Sequence, residues 1–163
     1  MFSLEIVTLA RLLIDEARER SLRIVTAESC TGGLVAGAIC SIAGASDVFE
    51  RGFVTYSNRA KQELLGVPGD LIADMGAVSE PVARMMAEGA LEASNAHLAV
   101  AITGVAGPGG GTPMKPVGTV HIATARSNER IMHRHELFEE ETREGIQLAA
   151  VQAALQALRD RLA

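Results

Sequence analysis

Ser29, Cys30 and Thr31 stand where a short β-branched run ends and an apolar helical run begins. The order strand, polar cluster, Gly32-Gly33, helix places their side chains beside unpaired helix N–H groups and the positive end of the helix dipole. The two glycines let backbone approach a ligand closely. Such a turn can bind an anion, or it can carry a serine nucleophile whose oxyanion needs N–H donors. A Ser or Thr helix cap followed by a glycine turn explains the segment equally well.

A loop rich in glycine and proline is the second candidate for a binding element. It follows the apolar run that ends at Thr103, and it contains Gly104, Gly107, Pro108, Gly109, Gly110 and Gly111. It matches neither the Walker pattern nor G-x-G-x-x-G. Exposed N–H groups of such a loop can form an anion-binding concavity. A flexible connection is the alternative, although Pro108 restricts it by fixing φ.

Lys61 and Tyr56 supply what a serine nucleophile lacks, because a serine hydroxyl reacts poorly unless a base takes its proton. None of the four histidines falls in a predicted loop at the carboxyl end of a strand, so a Ser-His-Asp triad is not supported. Lys61 falls in the first turn of a predicted helix, where the helix dipole and partial burial would both lower its pKa. A neutral Lys61 could act as the base, with the Tyr56 hydroxyl as an accessory proton carrier. An ordinary solvated lysine is the alternative.

Composition limits the class of protein. The chain has 163 residues, 48% hydrophobic, and a net charge of −5, which argues against electrostatic capture of nucleic acid or an anionic membrane. Cys30 and Cys40 are the only cysteines, so we expect no disulfide framework and a reducing, cytoplasmic location. The charged N-terminal segment predicts no signal peptide, and no apolar run is long enough to span a membrane. No metal-ligand motif is present, and we expect neither metal nor cofactor.

The elements alternate in an α/β order. We expect strands at 23–27, 48–56 with a bulge at Gly52, 97–103, 117–125 and 131–138. Helices are expected around 6–17, at 34–41, 57–65, 79–94 and 140–162, the last with Ile146, Ala149, Ala150, Ala153, Leu155 and Leu158 facing inward. The final two strands read as a hairpin, so the sheet must be mixed. The prediction is one domain over residues 1–163, a three-layer α/β/α sandwich with a mixed, mostly parallel sheet of about five to six strands.

Three polar clusters fall at the carboxyl ends of predicted strands, where open α/β sheets bind ligands. They are residues 28–33, 56–61 and 103–111. Three clusters at one kind of position indicate a single site more readily than three unrelated helix caps.

These segments together resemble the CinA C-terminal domain family. The resemblance lies in Thr26-Ala27-Glu28-Ser29-Cys30-Thr31-Gly32-Gly33, Val54-Thr55-Tyr56-Ser57-Asn58 with Lys61, Gly76-Ala77-Val78-Ser79, and Ala101 to Gly110, and it runs over about residues 5–160. It implies hydrolysis of nicotinamide mononucleotide to nicotinate mononucleotide and ammonia. It also implies a stand-alone form that lacks the N-terminal pyrophosphatase-type domain of longer relatives.

The resemblance implies roles for individual residues. Ser29 matches the family's proposed nucleophile, and Lys61 with Tyr56 matches the groups that activate it. The implied binding residues are Glu28, Cys30, Thr31, Gly32, Gly33, Thr103, Gly104, Gly107, Gly109, Gly110 and Arg143.

One stretch departs from the family pattern. Many relatives carry a glycine-acid-arginine sequence before the last helix and another arginine within it. Here Glu139-Glu140-Glu141 is acidic, Arg143 is left to cover the first arginine, and Gln147 falls at the second. We expect the acidic rim to weaken phosphate binding.

The expected mechanism is attack by Ser29, deprotonated toward Lys61, on the carboxamide carbon. N–H groups near 30–33 would stabilise the oxyanion, and Lys61 or Tyr56 would protonate the departing ammonia. Cys30 is the rival nucleophile. A non-catalytic nucleotide- or phosphate-binding module acting through a partner is the alternative function, and the oligomeric state, including a homo-oligomer, is left open.

Overall fold

The computed structural model describes all 163 residues of the chain. Its helices are α1 (Leu4–Glu19), α2 (Leu34–Cys40), α3 (Asn58–Leu65), α4 (Gly69–Met75), α5 (Glu80–Glu92) and α6 (Arg143–Asp160). Its strands are β1 (Ile24–Glu28), β2 (Phe49–Val54), β3 (Leu98–Gly104), β4 (Thr119–Arg126) and β5 (Met132–Leu137). No helix of this set is long and apolar enough to cross a membrane.

The five strands form one mixed sheet in the order β2-β1-β3-β4-β5. β1 pairs in parallel with both β2 and β3, whereas β4 pairs antiparallel with β3 and with β5. Only β4 therefore runs against the other four strands. The mixed, mostly parallel sheet expected from the sequence is confirmed.

The sheet is covered on both faces, which makes three layers. β3 shows why: Leu98, Val100 and Ile102 pack with α1, α2 and α6, while Ala99 and Ala101 pack with α3, α4 and α5. Large side chains fill one face and alanines the other. An apolar run without alternation is typical of a strand buried on both sides.

Serine hydroxyls set the beginnings of two helices next to the sheet's carboxyl edge. The Ser57 side chain accepts from the Ala60 N–H at α3, and Ser79 accepts from the Val82 N–H at α5. Each hydroxyl satisfies an N–H that has no partner within the helix. Both helices were expected from the sequence near these bounds.

The structure corrects four expectations. A helix, α4, and a short 3-10 turn at Ala45–Asp47 lie where the sequence predicted no element, and α6 begins at Arg143, later than expected.

The bulge in β2 lies at Glu50, because Ile24 pairs with Phe49 and Val25 with Arg51. Gly52 serves close packing instead: a Cβ there would meet Thr26 Oγ1 at 2.8 Å and Ala36 Cβ at 3.3 Å. On α6, Ala149 is only half-buried, whereas Ala153 packs against the core as expected, and Val151, Ala154 and Ala157 face the core in addition.

A substitution at Gly89 of α5 tests the close approach of α5 to α3. A Cβ at Gly89 would overlap the carbonyl oxygen of Leu65, a backbone atom that cannot rotate away. We expect Gly89→Ala to lower the free energy of unfolding by about 2–3 kcal/mol, measured by urea denaturation.

Gly37 of α2 is the matched control. The nearest atom to a Cβ there is Phe2 Cζ at 3.7 Å, an ordinary contact. We expect Gly37→Ala to raise the free energy of unfolding by up to about 1 kcal/mol, because alanine favours the helix. Equal effects of the two changes would contradict the packing described here.

Candidate active site

The carboxyl ends of β1, β2 and β3 open on one cavity of about 310 Å³. The three polar clusters that the sequence placed at strand ends thus meet in space. The cavity is lined by Ser29, Cys30, Tyr56, Asn58, Lys61, Ala77, Val78, Thr103, Gly104, Val105, Ala106, Gly107, Gly109, Gly110 and Arg143.

The turn that carries Ser29 is built around the fully buried carboxylate of Glu28. Its Oε1 accepts from Thr31 Oγ1 at 2.6 Å and from the Val35 N–H at 2.8 Å. Its Oε2 accepts from the Ala36 N–H at 3.0 Å. A carboxylate at the start of a helix satisfies orphan N–H groups and lies at the positive end of the helix dipole. Glu28 therefore anchors α2 to the end of β1.

The same turn leaves N–H groups free. The Gly32 N–H donates to the Ser29 carbonyl at 3.0 Å and closes the turn, whereas the N–H groups of Cys30, Thr31 and Gly33 bond to no backbone carbonyl. Gly32 and Gly33 take positive φ angles of 54° and 100°, a region that glycine adopts at little cost. Unpaired N–H groups beside a serine are what an oxyanion requires.

Lys61 reaches from α3 to Ser29 and is 1% exposed. Its Nζ lies 2.9 Å from Ser29 Oγ, 2.9 Å from the Thr55 carbonyl oxygen and 3.3 Å from the Tyr56 carbonyl oxygen. No carboxylate forms an ion pair with it. Burial lowers the pKa of the Lys61 ammonium below its ordinary value, because desolvation penalises the charged form.

The three contacts of Lys61 fit both protonation states. The two carbonyl oxygens can only accept, so they take two N–H bonds, and the remaining contact is with a hydroxyl that can either accept or donate. An ammonium would donate its third N–H to that hydroxyl, whereas a neutral amine would present its lone pair to the Ser29 proton. The burial expected for this lysine is observed, and desolvation is the main cause of its lowered pKa.

Cys30 is poorly suited to act as a nucleophile. Burial raises the pKa of its thiol to about 12, so the reactive thiolate is scarce at neutral pH. Its carbonyl oxygen accepts from Gln147 Nε2 of α6 at 3.0 Å.

Tyr56 and Arg143 form the rim of the cavity. The Tyr56 ring is exposed, and its hydroxyl accepts from Arg143 Nη2 at 2.8 Å. Arg143 Nη1 donates to the Gly107 carbonyl at 2.5 Å. Only the backbone carbonyl of Tyr56 bonds to Lys61, and the Tyr56 hydroxyl bonds to neither Lys61 nor Ser29.

The glycine-rich loop forms the opposite wall. Thr103 Oγ1 donates to the Ala77 carbonyl at 2.9 Å, which joins the end of β3 to the segment before α5. The Val105 N–H is bonded to Thr119, but the N–H groups of residues 106, 107, 109 and 110 bond to no backbone carbonyl. They are available to an anionic ligand.

The structure separates the predicted site residues into two groups. Glu28, Thr31, Gly32 and Gly33 do not line the cavity but shape the turn behind it, whereas the other predicted residues line it. Asn58, Ala77, Val78, Val105 and Ala106 were not singled out as site residues, although all five lie within the motifs on which the family resemblance rests.

The four histidines lie outside the cavity. His121 stacks on His133 and His135 of β5, and His97 accepts from the Arg23 N–H. No group of three or more His, Cys, Asp or Glu side chains is placed to hold a metal ion.

Comparisons with known proteins match this fold and these motifs. The CinA C-terminal domain model matches residues 6–162. A CinA-like protein of Akkermansia muciniphila is 57% identical over 118 residues, 72% of this chain and 28% of that protein. A CinA-like protein of Syntrophobacter fumaroxidans is 50% identical over 147 residues, 90% of this chain and 34% of that protein. The chain thus spans about a third or less of these relatives.

A solved structure agrees over nearly its whole length. The crystal structure of the competence/damage inducible protein CihA from Agrobacterium tumefaciens matches with a TM-score of 0.96 and 48% identity. The match covers 98% of this chain and 97% of that one.

Glu28 offers a direct test of how the turn is held. Glu28→Gln keeps the shape but places an amide NH₂ against N–H donors, so we expect it to lower the free energy of unfolding by about 2–3 kcal/mol. The control is Glu144→Gln in the exposed first turn of α6, which should change stability by less than about 0.5 kcal/mol. Urea denaturation of both variants checks this. A small effect at Glu28 would show that α2 is anchored by other contacts.

Proposed function

The chain belongs to the CinA C-terminal domain family, and we propose that it is a serine amidohydrolase. Its proposed substrate is nicotinamide mononucleotide, whose carboxamide is hydrolysed to give nicotinate mononucleotide and ammonia. A nucleotide substrate and two free cysteines agree with the cytoplasm as the site of the reaction.

The observation that carries the proposal is the 2.9 Å contact between Lys61 Nζ and Ser29 Oγ. A lysine amine is seldom buried without a carboxylate partner, because desolvating the ammonium costs several kcal/mol. A module that only binds a phosphate gains nothing from a buried neutral lysine against a serine. Catalysis needs this pair, since it turns a weak nucleophile into a strong one.

The first half of the reaction forms an acyl-enzyme. Lys61 Nζ takes the Ser29 proton as Oγ attacks the carboxamide carbon, and the carbonyl oxygen becomes an oxyanion. The free N–H of Cys30 stabilises that charge, an effect worth roughly 3 kcal/mol for one donor. The C–N bond then breaks, and the Lys61 ammonium returns the proton to the leaving nitrogen, which departs as ammonia.

The second half releases the product. Water loses a proton to Lys61 and attacks the Ser29 ester. The collapse of the second oxyanion frees the carboxylic acid while Ser29 regains a proton from Lys61, and the acid then loses its proton to solvent to give the carboxylate. We assign both proton transfers to Lys61, because the Tyr56 hydroxyl is hydrogen-bonded to Arg143 and not to Lys61 or Ser29. Tyr56 then contributes to the rim that encloses the substrate.

The phosphate of the substrate fits the opposite side of the cavity. Arg143 provides a guanidinium at the rim, and the free N–H groups of the glycine-rich loop provide further donors. The acidic residues Glu139, Glu140 and Glu141 are exposed next to the start of α6. Their negative charges make the local electrostatic potential less favourable for an anion, so we expect a modest affinity for phosphate.

Ser29→Ala tests the nucleophile. We expect loss of ammonia release from nicotinamide mononucleotide by at least about 1000-fold, because no other activated hydroxyl lies beside Lys61. Cys30→Ala is the matched control and should keep most of the activity, since its thiol is protonated at neutral pH. The opposite ranking of the two variants would make Cys30 the nucleophile.

Lys61 variants test the base. Lys61→Met and Lys61→Arg should both lower kcat strongly with a smaller effect on KM, because neither side chain can accept the serine proton. Lys115→Met, at the only other lysine, is the control and should leave kcat unchanged. Thermal melts verify that each variant is folded.

The pH dependence of the activity tests which protonation state of Lys61 is active. Since the neutral amine is the active form, kcat/KM should rise with pH and level off above a pKa lower than the ordinary lysine value. A Lys61→Arg enzyme that keeps most of its kcat would instead make residue 61 a cation that binds substrate.

A further inference from the structure

Helix α6 contributes two side chains to the site from successive turns. Arg143 and Gln147 are four residues apart, so they lie on the same face of the helix. Arg143 holds the Gly107 carbonyl and the Tyr56 hydroxyl, whereas Gln147 Nε2 donates to the Cys30 carbonyl at 3.0 Å. Gln147 is therefore joined to the residue that follows the nucleophile.

Gln147 holds a peptide carbonyl of the nucleophile turn that the turn's own backbone leaves without a donor. The Ser29 carbonyl accepts from the Gly32 N–H and the Thr31 carbonyl accepts from the Leu34 N–H. The Cys30 carbonyl has no backbone donor, and Gln147 is its partner. A long-range contact with α6 thus completes the turn.

The Cys30 carbonyl and the Cys30 N–H flank the same Cα atom. Gln147 holds the carbonyl, and the N–H is the donor assigned to the oxyanion. Because peptides are planar, fixing the carbonyl limits the backbone rotations that would move Cys30 and the neighbouring Ser29. Oxyanion stabilisation depends on donors that are oriented before the reaction.

We propose that Gln147 is a positioning residue for the Cys30 N–H, the oxyanion donor of the Ser29 turn. It acts through the Cys30 carbonyl and does not itself touch the substrate. The inference rests on the proposed serine chemistry of the site. A glutamine suits this role because its amide donates a hydrogen bond without adding charge to the turn.

Two substitutions separate the hydrogen bond from packing. Gln147→Met keeps a side chain of similar length without the donor, and Gln147→Glu places a carboxylate against the Cys30 carbonyl. We expect kcat for ammonia release to fall about 10-fold in Gln147→Met and further in Gln147→Glu, with KM within about twofold of the wild type. Gln152→Met and Gln152→Glu, at an exposed position of the same helix, are the controls and should leave kcat unchanged.

A pH series provides a readout that a packing role would not move. A protonated glutamic acid can donate to the Cys30 carbonyl, whereas methionine cannot at any pH. The ratio of the Gln147→Glu rate to the Gln147→Met rate should therefore rise as the pH is lowered from about 8 to about 5.5. A constant ratio would overturn the proposal.

Labelling of Ser29 by a fluorophosphonate keeps this test independent of the substrate. The phosphonyl oxygen needs the same donors, so the labelling rate should fall in both Gln147 variants and stay unchanged in both Gln152 variants. Wild-type labelling rates in Gln147→Met would overturn the positioning role, even if ammonia release is reduced. If the wild type is labelled but releases no ammonia from nicotinamide mononucleotide, the proposed substrate fails while the labelling comparison still decides the role of Gln147.

Discussion

The buried carboxylate of Glu28 is the contact on which the site depends. It accepts three hydrogen bonds, from the Thr31 hydroxyl and from the Val35 and Ala36 N–H groups. These bonds compensate the cost of burying a charge and join the last residue of β1 to the first turn of α2. The intervening turn is held at both ends. Ser29 consequently lies at a defined place at the sheet edge, with free N–H groups beside it.

The second constraint is the burial of the Lys61 amine. Its hydrogen-bond partners are two carbonyl oxygens and the Ser29 hydroxyl. Its burial lowers the pKa of the ammonium, which shifts the equilibrium toward the base. Both carbonyls belong to the segment between β2 and α3, and Lys61 itself lies in α3. The lysine and the groups that hold it are thus close in sequence, whereas its target comes from β1. The parallel pairing of β1 with β2 brings the two together.

Helix α6 closes the site from the other end of the chain. Arg143 holds the glycine-rich loop and the Tyr56 hydroxyl, and Gln147 holds the Cys30 carbonyl. The helix packs on the same face of the sheet as α1 and α2, and its buried residues belong to the same core cluster. The packing of that core therefore holds the first two turns of the helix, and the side chains that they carry, in place. The family pattern indicated a role for Arg143, but nothing local to residue 147 indicated its partner.

The sequence by itself determined the order of the strands and of every helix except α4, the mixed sheet, and the three polar clusters at strand ends. Such features depend on apolar periodicity and on capping within a few residues, which a single sequence displays. Tertiary structure decided between a buried and a solvated Lys61. It alone showed that Glu28 braces the turn, that Gly52 is a packing site and that Gln147 reaches Cys30. The reason is physical: burial, and hydrogen bonds between residues as far apart as 30 and 147, arise only when separate elements pack together.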